Sequence, residues 1–132
     1  MNIKDFAEKF FKAEDEAWYK GDFLHLKELE DPNVVYHLYP PLPDMVGHEA
    51  HVRDITNRRQ AVSDYKQEWQ FLTGDKNLYA LSLKSSFRIT GERPGSTIPL
   101  GKKISTNRLC VGRVKKGKLV EAWVNGSNTV TD

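Results

Sequence analysis

"LYALSLKSSFRI", residues 78 to 89, is the stretch that sorts this chain into a fold class. Tyr79, Leu81, Leu83, Phe87 and Ile89 alternate with Ala80, Ser82, Lys84, Ser86 and Arg88. A period of two sustained this long makes a strand with one apolar and one more polar face. The same period starts upstream at about Lys66: in "QEWQF", Trp69 and Phe71 alternate with Glu68 and Gln70. Downstream, "GERPGSTIPLGKK" (91 to 103) is a connection rich in Gly and Pro. Beyond it Ile104–Val114 and Leu119–Val124 pair as a hairpin across "KKGK".

Further upstream the period lengthens to that of a helix. Ile3, Phe6, Ala7, Phe10, Ala13, Ala17 and Trp18 form one stripe, with Lys4, Glu8, Lys9, Lys12 and Asp15 opposite. Lys20-Gly21-Asp22 stops that helix, and a short one from about 22 to 29 buries Phe23, Leu26 and Leu29. Asp31-Pro32 turns the chain into "NVVYHLYPPLPDMVG" (33 to 47), an apolar strand ended by prolines at 40, 41 and 43. Gly47 leads into a second long helix, to about 64, with Val52, Ile55, Arg59 and Val62 on one face. Helices first and a mostly antiparallel sheet afterwards predict an α+β fold, one domain over 1–132. A curved antiparallel sheet wrapped on its helices leaves an apolar hollow, a default place for a small ligand.

Composition narrows the function classes. With 132 residues, 39% hydrophobic and 29% charged, the chain is neither disordered nor a membrane protein. Its 20 Lys+Arg against 18 Asp+Glu leave +2, too balanced for nucleic acid as partner. Cys110 is the single cysteine, which excludes an internal disulfide and a cysteine-based metal cluster. The charged start, "MNIKDFAEKFFKAEDEAW", lacks the apolar core of a signal peptide, and no apolar run reaches the ~18 residues of a spanning helix. A cytoplasmic setting is therefore the expectation.

Four pieces, in this order, carry a family likeness: Gly21-Asp22; the strand around His37 with the later "GHEAHVRDI"; "FRITGE…IPLGKKIS" (87 to 105); and "VGRVKKGKLVEAW" (111 to 123). Together they resemble the nuclear transport factor 2-like superfamily, and most closely its SnoaL-like polyketide cyclase branch. The resemblance implies a cone-shaped fold, a deep apolar pocket, frequent dimers, and often no metal or organic cofactor; the assembly expected here is a homodimer through the sheet. It also implies a polar residue before the final tryptophan and an acid just after it; here Ala122 and Val124 stand there.

His37 leads the candidate residues, because members of this superfamily place an acid–base group near that point of the opening strand. An imidazole in an apolar hollow would stay mostly neutral and could exchange a proton with carbon next to a carbonyl. Its other reading is a core histidine bonded to backbone. Glu14 falls on the apolar stripe of the first helix, where it could orient His37 or, at the stripe's edge, reach water. Arg108, mid-strand, could hold a substrate carboxylate or enolate oxygen, or pair with a carboxylate on the outer sheet face. Trp18, Tyr36, Trp69 and Phe87, with Ala122 and Val124, could line a pocket for a flat ligand or serve as plain core. "HEAH" is not the zinc spacing H-E-x-x-H, so His48 and His51 are expected on the surface at a helix entry. Cys110 reads as a small buried hydrophobe. Two functions follow: a cofactor-independent cyclase, isomerase or dehydratase acting on a hydrophobic or aromatic carbonyl compound, or a ligand-binding or association domain without catalysis.

Overall fold

The computed structural model of the protein describes residues 2–92 and 97–131. The middle of the 91–103 connection lies outside the described residues. Helix α1 (Ile3–Lys20) begins where the Asn2 side chain accepts the Asp5 N–H at 2.8 Å. It ends at Gly21, whose left-handed φ of 67° lets its N–H reach back to carbonyls of the last turn. Helix α2 (Leu24–Leu29) and strand β1 (Glu30–His37) follow, then the short β2 (Met45–Val46) and helix α3 (His48–Ala61). The chain closes with four long strands, β3 (Val62–Asp75), β4 (Leu78–Ile89), β5 (Lys103–Lys115) and β6 (Lys118–Thr131).

The fold is α+β, with one six-stranded sheet in the order β2-β1-β6-β5-β4-β3. The sheet is mostly antiparallel, as expected: β1 runs parallel to β6, while every other pairing is antiparallel. The α3 crossover carries the chain from the β1 edge to the far edge. A four-strand meander then returns, and its last strand lands beside β1 pointing the same way.

Two boundaries shift for local reasons. Strand β1 starts before Pro32, because the register slips between Glu30 and Val35 and spares the proline a ladder hydrogen bond. Helix α3 stops at Ala61, and the register slips again between Ser63 and Lys66, around Asp64 at φ 54°. The β5–β6 turn has Lys116 and Gly117 both at positive φ, the I′ geometry that matches strand twist.

The apolar stripe of α1 packs on the inner sheet face. Phe6, Phe10, Ala13 and Ala17 meet Leu81 and Leu83 of β4, Cys110 of β5 and Leu119 of β6. Gly112 of β5 also faces inward, and a Cβ there would strike the Tyr79 ring, so the glycine gives that ring its place. Phe87, Ile89 and Ile104 form a separate small cluster. Among the described residues no helix is long and apolar enough to cross a membrane.

Candidate functional site

Between α1, α3, β1 and the inner sheet face lies a cavity of about 100 Å³. Phe10, Trp18, Tyr65, Leu83, Ala122 and Val124 supply much of its apolar wall. Leu38, Leu42 and Met45, from the end of β1 through the proline segment to β2, line the side nearest solvent. Trp18 and Tyr65 stack with centroids 4.5 Å apart and planes 6° from parallel, a flat aromatic surface.

One wall is a closed polar network centred on Glu30, whose side chain is fully buried. His48 Nδ1 lies 2.7 Å from one carboxylate oxygen and His51 Nδ1 lies 2.8 Å from the other, which also accepts the Tyr36 hydroxyl. Burial resists ionising Glu30, but the His51 charge and the hydrogen bonds from His48, His51 and Tyr36 outweigh it and hold the carboxyl at about 2. An ionised carboxylate only accepts, so both histidines donate from Nδ1. Burial pulls His51 toward neutrality, yet the charge and hydrogen bond of Glu30 overcome it and raise its pKa. Glu30 and His51 thus form a buried ion pair with His51 facing the cavity.

Glu14 stands apart from that network. It is buried on α1, lines the cavity, and makes no hydrogen bond among the described residues. Burial pushes its carboxyl up to about 7; Glu30 and Asp15 add to the rise, while His51 and Arg108 oppose it. A carboxyl half-ionised near neutrality in an apolar pocket can give and take a proton. Arg108 reaches the same space from the inner face of β5, where its cross-strand neighbour Gly126 leaves room for its stem. Its Nε is buried without a hydrogen-bond partner among the described residues.

The structure therefore brings together Glu14, Trp18, Tyr36, Arg108, Ala122 and Val124 around one cavity. His37 is elsewhere. Successive strand residues point to opposite faces, and with Tyr36 inward His37 points outward. There it bonds Glu121 at 2.7 Å and Asp44 at 3.1 Å, over Trp123 at 5.4 Å. The expected neutral imidazole in a hollow is corrected: the Glu121 hydrogen bond outweighs what little burial there is, and raises its pKa. Glu14 is accordingly not its partner. Trp69 lies outside the cavity lining, against Phe11 with its indole N–H on Asp15 at 3.0 Å; Phe87 packs on Tyr65 in the second cluster.

His48 and His51 are the second correction. They are 8% and 7% exposed, not surface residues, because buried Glu30 needs donors and α3 supplies them three residues apart on one face. The signal was present: 48, 51 and 55 have the spacing of a buried helical stripe, with histidines in place of apolar residues. Glu30 itself, in "ELEDPN", carries no mark that separates it from surface charge. Cys110 is buried, and burial pushes its thiol up to about 12, away from nucleophilic use.

Comparison with known proteins agrees with this architecture. The sequence matches the SnoaL-like polyketide cyclase family over residues 8–126. TsrD from Streptomyces laurentii has a similar structure, with a TM-score of 0.79 at 18% identity, over 96% of this chain and 92% of its own. IdmH from Streptomyces antibioticus, a candidate polyketide cyclase, gives 0.73 at 22% identity, over 96% and 93%. AclR from Streptomyces galilaeus, a candidate hydroxylase, gives 0.71 at 20% identity, over 94% and 87%. At such identities these likenesses speak for the fold alone. No curated protein sequence matches significantly.

Proposed function

The chain belongs to the family of SnoaL-like polyketide cyclases, and on that footing we propose that its cavity binds a small hydrophobic carbonyl compound and that Glu14 moves a proton on it. The observation that carries this reading is an unpaired carboxyl, brought to about 7, facing an apolar wall. At neutral pH a fraction of the protein holds Glu14 as carboxylate, able to take a proton from carbon next to the carbonyl. The resulting acid can return the proton at oxygen or at a neighbouring carbon. That sequence is an isomerisation, or one half of a cyclisation or dehydration. The Glu30–His51 pair fixes the polar wall, and the Tyr36 hydroxyl is already committed to Glu30. The protein acts as a homodimer through its sheet, in the cytoplasm, without an organic cofactor.

Exchange in deuterated water tests the assignment without knowing the natural substrate. Wild-type protein should accelerate loss of the α-protons of a one-ring enolisable ketone, followed by NMR. Glu14→Gln should slow that exchange about 10²–10⁴-fold, the usual worth of one acid–base group. Binding with no exchange by the wild type would favour a purely ligand-binding role.

A further inference from the structure

All but two of the charges lining the cavity can be traced to a partner. Asp54 and Arg58 pair on α3 at 3.1 Å. His51 is paired with Glu30, and the Tyr65 hydroxyl donates to Gln67 at 2.6 Å. Burial raises the hydroxyl of Tyr79 far above its ordinary range, so it stays neutral. That leaves Glu14 and Arg108. The guanidinium of Arg108 makes no hydrogen bond among the described residues, and its Nε is the one buried side-chain nitrogen or oxygen among them without a partner. A buried donor left unmade is costly, more so on a charged group. Glu14 does not discharge that debt, since it shares no hydrogen bond with Arg108 and remains half-protonated near neutrality. Gly126 keeps the position open: a Cβ there would lie 2.8 Å from Arg108 Cγ.

From this unpaired guanidinium in a mostly apolar cavity we infer that the ligand is a small acid, whose carboxylate (or equally delocalised oxyanion) docks on Arg108 while its ring or chain fills the apolar wall. The size follows from the volume. A cavity near 150 Å³ accepts one benzene ring, so about 100 Å³ holds no more than one ring or a short chain. Any larger portion would have to extend toward solvent, which the lining meets at exposed Leu42. This rests on the proposed cavity function and narrows it: the carbonyl compound carries an acid group, and Glu14 works on carbon near that group.

Benzoate and its neutral isostere benzamide, titrated calorimetrically at pH 6 where Glu14 is mostly protonated, test the inference. Wild-type protein should bind benzoate at least tenfold more tightly than benzamide. Arg108→Met, which keeps the stem volume, should reduce that ratio to about one while benzamide is still bound, which also reports an intact cavity. Arg108→Lys should keep part of the preference, because the charge remains while the planar fork is lost. Equal affinity of wild type for the two ligands overturns this inference alone. So does a benzoate preference that survives in Arg108→Met. Failure of wild type to bind either compound overturns the inference and the cavity reading together.

Discussion

Replacing Glu14 by Gln should stabilise the protein at alkaline pH while it removes proton transfer. The fold holds the Glu14 carboxyl at about 7, against an ordinary 4.5. A group whose pKa is raised by folding contributes stability below its unfolded pKa and loses it as pH rises through the folded one. For Glu14 the loss therefore runs from about pH 4.5 to about 7 and is complete above it. At 1.36 kcal/mol for each pH unit, burying the carboxylate costs about 3 kcal/mol at pH 8. In a domain of this size that is about 10 °C in melting temperature. Gln has the same shape and does not titrate. Any constant cost of its buried amide cancels when one pH is compared with another. Melting curves of wild type and Glu14→Gln, measured by circular dichroism from pH 5 to 8.5, should accordingly separate as pH rises. The variant gains about 10 °C relative to wild type between the two ends. Parallel curves would mean that Glu14 titrates as an ordinary carboxyl, and the acid–base assignment would lose its physical basis.

The Glu30 network predicts the opposite sign. Glu30→Gln leaves His51 without its counter-charge inside the protein, so it should cost about 3–5 kcal/mol by urea unfolding at pH 7; a loss below about 1 kcal/mol would show that the pair is not buried as described. Because folding lowers the Glu30 pKa to about 2, its contribution is present above pH 4.5 and lost as pH falls toward 2, and the variant should lack that acid-sensitive phase. On the outer face, the raised pKa of His37 should return toward 6.5 in Glu121→Gln when followed by NMR, and should not move in Glu14→Gln. Movement on changing Glu14 would place His37 in the cavity network and refute the strand parity described here.

How far the sequence could be read depended on whether a residue's surroundings were local. The period of two in Tyr79 to Ile89 depends on nothing beyond that strand, and it located β4 and its inward face correctly. In "VVYHLY" every residue but one is apolar, so alternation could not say whether Tyr36 or His37 points inward. The deciding fact is non-local: Tyr36 turns inward to a carboxylate six residues earlier, held in turn by two histidines on another helix. Glu14 was visible because a carboxyl on an apolar stripe breaks a local pattern. Glu30 was not, because its burial is created by His48 and His51, residues that look like surface until their shared partner is known. The last strand was readable as a hairpin partner, but not by face. The register shift between Arg113 and Val114 puts both Leu119 and Ala122 inward, which strict alternation forbids.

The positions flanking Trp123 explain why Glu14 is tolerable where it stands. Ala122 and Val124 line the cavity, so acids there would face the same space as Glu14. Two carboxyls in one small apolar hollow cannot both ionise near neutrality, because each raises the other. With both β6 positions apolar, the α1 carboxyl is the single unpaired acid among the described residues of the cavity, and its ionisation is opposed by burial more than by a rival. Arg108 and His51 then limit how far it rises, and bring it to about 7 rather than beyond the range in which it can exchange protons. The acid of this cavity thus stands on the helix wall, and the sheet wall at Ala122 and Val124 is apolar. On the proposed function, a bound carbonyl compound would meet the Glu14 carboxyl from the α1 side, with Ala122 and Val124 as the apolar surface behind it.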